Sequence, residues 1–147
     1  MSETSRPTFS FPPETDERPR VIFVVDDEEM LRRVLVRVLD DPCYVVHVFE
    51  NPRAALARID ELRPELIISD NEMPKMKGFD FLRRVRAERP GIRTLLLTGG
   101  YLGDHVHAAV AGGEIDHLLE KPWLDAELRG TVRMLLESGS SFPRVRR

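Results

Sequence analysis

Residues 65–78 read Glu65-Leu66-Ile67-Ile68-Ser69-Asp70-Asn71-Glu72-Met73-Pro74-Lys75-Met76-Lys77-Gly78. The short apolar run at 65–69 is bounded by turn-forming residues and reads as a buried strand. Pro74 and Gly78 mark the turn after it. Beyond the turn Phe79, Leu82 and Val85 recur at helical spacing. The unit is strand, loop and helix, with the carboxylate of Asp70 at the strand's carboxyl end.

The same unit recurs on both sides. Apolar runs at 21–25, 44–48, 92–98 and about 115–119 read as further buried strands. Four of the five runs are rich in Val, Ile or Leu without polar alternation, which suits a parallel sheet covered on both faces. Leu31, Val34, Leu35, Val38 and Leu39 form one stripe on a helix of about 28–40. Ala55, Leu56, Ile59 and Leu62 form another, after a Pro52 placed for a helix's first turn. Val106, Ala109 and Val110 mark a weaker fourth helix, and Leu124, Leu128, Val132 and Leu135 a fifth. The pattern is (βα)5. Right-handed crossovers make it a doubly wound α/β three-layer sandwich around a parallel five-stranded sheet. Sites in such folds lie outside the carboxyl ends of the strands.

Composition bounds the rest. A chain of 147 residues with 41% apolar content suits one ordinary soluble domain. The longest uncharged apolar runs resemble Val21–Val25, far short of the roughly 20 residues that cross a membrane. The first residues lack the apolar stretch of a secretory signal. The one cysteine, Cys43, excludes an intramolecular disulfide and a cysteine-cluster zinc site, and fits a cytoplasmic setting. The net charge of −3, from 22 basic and 25 acidic residues, is too balanced for nucleic-acid binding by this domain alone. The first 20 residues hold 4 of the 11 prolines, so 1–19 is expected to be a flexible leader. The domain proper is expected at 20–137, and 138–147 reads as a Ser/Gly/Arg-rich tail or linker.

The strand ends carry the chemistry. Strand 1 runs into Asp26-Asp27-Glu28-Glu29, strand 3 into Asp70, and strand 4 into Thr98-Gly99-Gly100; strand 5 is followed by Glu120-Lys121-Pro122. These ends converge in a doubly wound sheet, giving three carboxylates, a hydroxyl and an ammonium. At an effective dielectric of ~20, each pair of carboxylates near 4–5 Å costs about 3–4 kcal/mol. One acid must stay protonated or a cation must bind. Oxygen-only ligands suit Mg²⁺. A carboxylate beside Mg²⁺, Lys and Thr can attack a phosphoryl group. Each residue alone also has a plain structural reading: Asp26 with Glu29 as a helix cap, Asp70 as a turn former, Thr98 as a strand-end residue, Lys121 as a surface lysine. Their occurrence together at four strand ends favours the chemical reading.

Over about 20–137 these residues resemble the receiver domain of two-component response regulators, a CheY-like domain. The strongest piece is Asp70-Asn71-Glu72-Met73-Pro74-Lys75-Met76-Lys77-Gly78, similar to the family's Asp-x-x-Met-Pro-x-Met-x-Gly. The Asp26-Asp27 pair, Thr98 and Lys121-Pro122 complete it. The resemblance implies a flavodoxin-like strand order of 2-1-3-4-5. It implies Asp70 as phospho-acceptor from a sensor histidine kinase or phosphotransfer protein, with Thr98 and Lys121 contacting the phosphoryl oxygens. Asp27, Asp70 and the backbone carbonyl of Glu72 would ligate Mg²⁺ directly, and Asp26 through a water. No turnover of an external substrate is implied, only self-phosphorylation and auto-dephosphorylation by attack of water. Output would pass to a downstream protein or a linked domain, with a homodimer through helix 4, strand 5 and helix 5 as one form.

Three departures stand out. Leu118 occupies the position where the family often has a switching Tyr or Phe; Gly99 and Gly100 follow the Thr; and Trp123 replaces the commoner Phe. The Lys-Pro-Trp sequence is similar to that in some receivers of multidomain regulators, which leans toward a chain cut from a longer one without deciding it. His47, His105, His107 and His117 do not form a ligand set, and Gly99-Gly100-Tyr101-Leu102-Gly103 is not a dinucleotide fingerprint. Two other functions compete: a receiver-like adaptor that no longer cycles phosphate, and a Mg²⁺-dependent phosphatase with an aspartyl nucleophile. Intact Asp70, Thr98 and Lys121 argue against the first. Against the second, the nucleophile candidate ends the third strand, and about 117 residues leave no room for a cap domain.

Overall fold

The computed structural model describes residues 18–100 and 102–138. The expected leader and tail therefore lie almost wholly outside the described residues. In chain order the elements are β1 (Arg20–Val25), α1 (Glu29–Val38), β2 (Tyr44–Phe49), α2 (Pro52–Leu56), α3 (Ile59–Leu62), β3 (Leu66–Asp70), α4 (Gly78–Glu88), β4 (Arg93–Thr98), α5 (Asp104–Ala111), β5 (His117–Glu120) and α6 (Asp125–Ser138). The sheet order is β2-β1-β3-β4-β5 and every pairing is parallel. The doubly wound (βα)5 sandwich and its 2-1-3-4-5 order are thus as expected.

Alternation along the inner strands explains the two cores, because successive side chains point to opposite faces. Ile22, Val24, Leu66, Ile68, Leu95 and Leu97 pack with Leu35, Val38, Leu128 and Val132 of α1 and α6. Phe23, Val25, Ile67 and Leu96 pack on the other face with Ile59, Leu82, Val85 and Val106. Burying each such side chain contributes about 1.5–3 kcal/mol.

Four expectations differ in detail. The run at 44–48 forms β2 at the sheet edge, as the strand order implies, but it is less buried than expected, with Val45 and Val48 exposed. The second helix is two short ones. Arg58 N–H bonds the Ala55 carbonyl three residues back, which tightens the chain between α2 and α3. Leu124 does not join the apolar stripe of the last helix. It lies just before α6, its carbonyl accepts from Leu128 N–H, and its side chain is 73% exposed. The tail was expected from 138, yet α6 includes Ser138.

At the end of the sheet opposite the strand carboxyl ends, Asp116 ties α4 to β4 and β5. It pairs with Arg86 and, at 3.0 Å, with Arg93. Its Oδ2 also accepts from Thr94 N–H at 2.9 Å. Burial alone would raise the Asp116 pKa, but Arg86, the Thr94 amide and Arg93 outweigh it and hold the group below the ordinary carboxylate value. A depressed carboxylate stabilises the fold above its unfolded pKa, and that contribution is lost as pH falls through the folded one. Asp116→Ala leaves two arginines facing a half-buried gap, so urea denaturation at pH 7 should show a loss of about 2–4 kcal/mol, shrinking toward strongly acidic pH.

Candidate functional site

Strands β1, β3, β4 and β5 bring their carboxyl ends together, and each places one expected residue. Asp26 lies in the turn between β1 and α1 and is 1% exposed. Its Oδ1 accepts from Glu28 N–H at 2.9 Å, and its carbonyl accepts from Arg32 Nη1 at 2.7 Å. Its Oδ2 is buried with no partner. The helix-cap reading does not hold: α1 is capped at Glu28, without a side-chain bond. Asp27 is exposed beside it.

Asp70 closes β3 and is buried. The packing around it is tight. A Cβ on Gly78 would lie 2.1 Å from the Asp70 carbonyl oxygen, so only glycine lets α4 begin there. Asn71 secures the same junction. Its backbone N–H donates to the Leu97 carbonyl at 2.8 Å, and its Oδ1 accepts from Phe79 N–H at 2.9 Å. Lys75, in the loop between, takes the left-handed backbone region with φ of 73°.

Thr98 ends β4 and is fully buried. Its carbonyl accepts from Lys121 N–H at 2.8 Å, which ties the two residues together through the backbone. Lys121, joined to Pro122 by a cis peptide, donates from Nζ to Asp70 Oδ1 at 2.6 Å. Glu72 was expected to contribute only its backbone carbonyl. Its side chain is engaged as well: Oε2 accepts from Thr98 Oγ1 at 3.1 Å and Oε1 from Gly99 N–H at 3.4 Å.

One carboxylate oxygen from each of Asp26, Asp27 and Asp70 lies within 4.8 Å of the others. Burial, with the charges of Asp70 and Asp27, pushes the Asp26 carboxyl up to about 6 against the opposing Glu28 amide and Lys121. Burial likewise raises Asp70, although Lys121 opposes it. Burial works against the Lys121 ammonium, but its hydrogen bond and attraction to Asp70 more than offset this and raise its pKa. An all-oxygen donor set of like charge, with one orphaned buried oxygen, fits a hard divalent cation. A cleft of about 900 Å³, lined by Asp27, Asn51, Leu56, Met73 and Met76 among others, opens beside the cluster. The sequence reading missed Asn71, Arg32 and the Glu72 side chain. The family motif leaves the positions of Asn71 and Glu72 unspecified, and nothing local marks Arg32.

Fold and site together define a receiver domain, and the comparisons agree. The model of the response regulator receiver domain family matches residues 22–133, and the chain belongs to that family. It is 32% identical over 122 residues to the two-component response regulator PhoP of Pseudomonas aeruginosa, covering 82% of this chain and 53% of that protein. It is 39% identical over 131 residues to a protein-glutamate methylesterase/protein-glutamine glutaminase of Anaeromyxobacter dehalogenans, covering 86% of this chain and 34% of that one. Among solved structures, it is similar to the signal receiver domain of an HD domain-containing protein from Pseudomonas fluorescens. That match has a TM-score of 0.77 at 32% identity and covers 85% of this chain and all of the other. The chain thus spans about half the length of the curated regulators it matches.

Two outcomes follow. Asp26 holds its proton more tightly folded, at about 6, than unfolded, at 3.8, so stability without metal falls as pH rises between those values. Asp26→Asn should therefore raise urea resistance at pH 7.5 by up to roughly 3 kcal/mol and give no gain near pH 3.5. Gly78→Ala should force α4 off the Asp70 carbonyl, at a cost of about 3 kcal/mol or more, seen as a lower thermal midpoint.

Proposed function

We propose that Asp70 accepts a phosphoryl group from the phosphohistidine of a sensor histidine kinase or phosphotransfer protein, and that the modified domain switches a protein contact. The observation that carries this reading is Asp70 itself: a buried carboxylate at a strand end, facing Asp26 and Asp27, with Lys121 at 2.6 Å. In the transfer an Asp70 oxygen bonds to phosphorus as the donor's N–P bond breaks. The imidazole nitrogen leaves with the electron pair and takes up a proton. Lys121, the Thr98 hydroxyl and the Gly99 amide then face the phosphoryl oxygens. In the separate loss of the group, water attacks phosphorus as the Asp70 O–P bond breaks; the electron pair returns to the Asp70 carboxylate, the water gives up a proton and inorganic phosphate leaves. Asp27, Asp70 and the Glu72 carbonyl would hold Mg²⁺ directly and Asp26 through a water; when bound, the ion supplies positive charge against the transferring oxygens.

The readout face in this proposal is α5, β5 and α6. Lys121 N–H is bonded to the Thr98 carbonyl, so a pull on either side chain displaces both strand ends. Leu118, packed against the core cluster, limits the contrast between states, since leucine lacks an aromatic's two alternative packings. A homodimer through this face, a linked output domain and a cytoplasmic location belong to the same reading. The linked domain is supported by the greater length of the relatives and the location by family membership. Among the described residues no helix is long and apolar enough to cross a membrane.

Incubation with acetyl phosphate and Mg²⁺, followed by intact mass, should give one phosphoryl adduct. Asp70→Asn or chelation of the metal should abolish it. An adduct that survives in Asp70→Asn would overturn the assignment. Sustained release of alcohol from a phosphomonoester would favour the phosphatase reading.

A further inference from the structure

The Glu72 carboxylate holds the donors that a phosphoryl group on Asp70 would need. We infer that Glu72 is a built-in competitor for that group, setting how readily Asp70 takes and keeps phosphate. This rests on the phospho-acceptor reading above. The geometry is specific. Glu72 Oε2 accepts from Thr98 Oγ1 at 3.1 Å and from Asn71 Nδ2 at 3.3 Å, and Oε1 accepts from Gly99 N–H at 3.4 Å. Thr98 has one hydroxyl hydrogen and Gly99 one amide hydrogen, so neither can serve two anions fully at once. Both residues sit at the end of β4, next to Asp70, whose register partner is Leu97. Glu72 also lies close enough to Asp70 and Lys121 to act on both their charges.

The resting site is therefore occupied by an internal anion of charge −1. A phosphoryl group brings about −1.5 to −2 to the same place. The two repel, and Glu72 must swing out before Thr98 and Gly99 can turn to the newcomer. Glu72 can swing out without disturbing the core, because it is exposed, but it gives up its bonds to Thr98, Asn71 and Gly99 in doing so. The resting carboxylate thus keeps the Thr98 hydroxyl and Gly99 amide pointed into the site. Phosphorylation exchanges their acceptor rather than creating the arrangement anew.

The experiment compares ¹⁵N-labelled wild type, Glu72→Ala and Glu72→Gln. Spectra without any phosphodonor report the resting contact. Titration with beryllofluoride in Mg²⁺ reports the competition. Glu72→Ala should shift the Gly99 and Thr98 amide signals at rest and lower the half-saturating beryllofluoride concentration by about tenfold. Glu72→Gln, which keeps an acceptor but loses the charge, should fall between. Wild type that binds beryllofluoride with no gain in either variant overturns the competitor and leaves the phospho-acceptor reading standing. Resting Gly99 and Thr98 signals unmoved by Glu72→Ala also overturn it. Failure of all three proteins to bind beryllofluoride, with no adduct on Asp70, overturns both readings.

Discussion

Three carboxylates crowd one end of the sheet, and among the described residues Lys121 is the lysine bonded to one of them. That imbalance of charge is the constraint on which the site depends. Asp26 sits buried with one oxygen unpartnered, and its proton is held to about pH 6. A fold selected only for stability would not keep such a group, since burying an unpaired charge costs several kcal/mol. The surrounding structure holds the acids in place regardless. Gly78 lets a helix start against the backbone of Asp70, Asn71 locks that start, and Arg32 grips the chain at Asp26. The cost is local, and the hydrophobic layers on both faces of the sheet offset it.

What the sequence disclosed follows from how far each signal reaches. Strands such as Phe23–Val25 and Leu95–Leu97 were legible because burial on both faces leaves an unbroken apolar run. Strand β2 has a similar composition, yet its outer side lacks a neighbour, and no residue within it records that. Leu124 matched the helical stripe by spacing, but it precedes the first helical residue, Asp125, and its side chain is exposed. The break between α2 and α3 turns on a single hydrogen bond three residues back instead of four.

In the site, Asp26, Asp27, Asp70, Thr98 and Lys121 were legible because topology alone gathers strand ends. The roles of Asn71 and of the Glu72 side chain were not. Asn71 accepts from Phe79 in the first turn of α4, eight residues on, and Glu72 reaches donors 26 and 27 residues away. Such contacts depend on side-chain direction, which spacing does not encode. The family motif places Glu72 by its backbone alone, so its carboxylate becomes visible only in three dimensions.

The anchoring of α4 has a mechanical consequence. Its start is locked to Asn71, and its later turns are bound to the segment leading into β5: Arg83 to Glu114, and Arg86 to both Gly113 and Asp116. That segment includes Gly113, whose φ of 86° suits a residue without a side chain. Helix α5 therefore has one end moored to a fixed post and the other next to the Thr98 loop. With about 12 Å between its two ends, a 1 Å displacement of the first turn against the moored end would be a tilt of about 5°. That first turn also touches α4, where the His105 ring meets Phe79 edge-on, so a tilt of α5 would be felt at α4 as well.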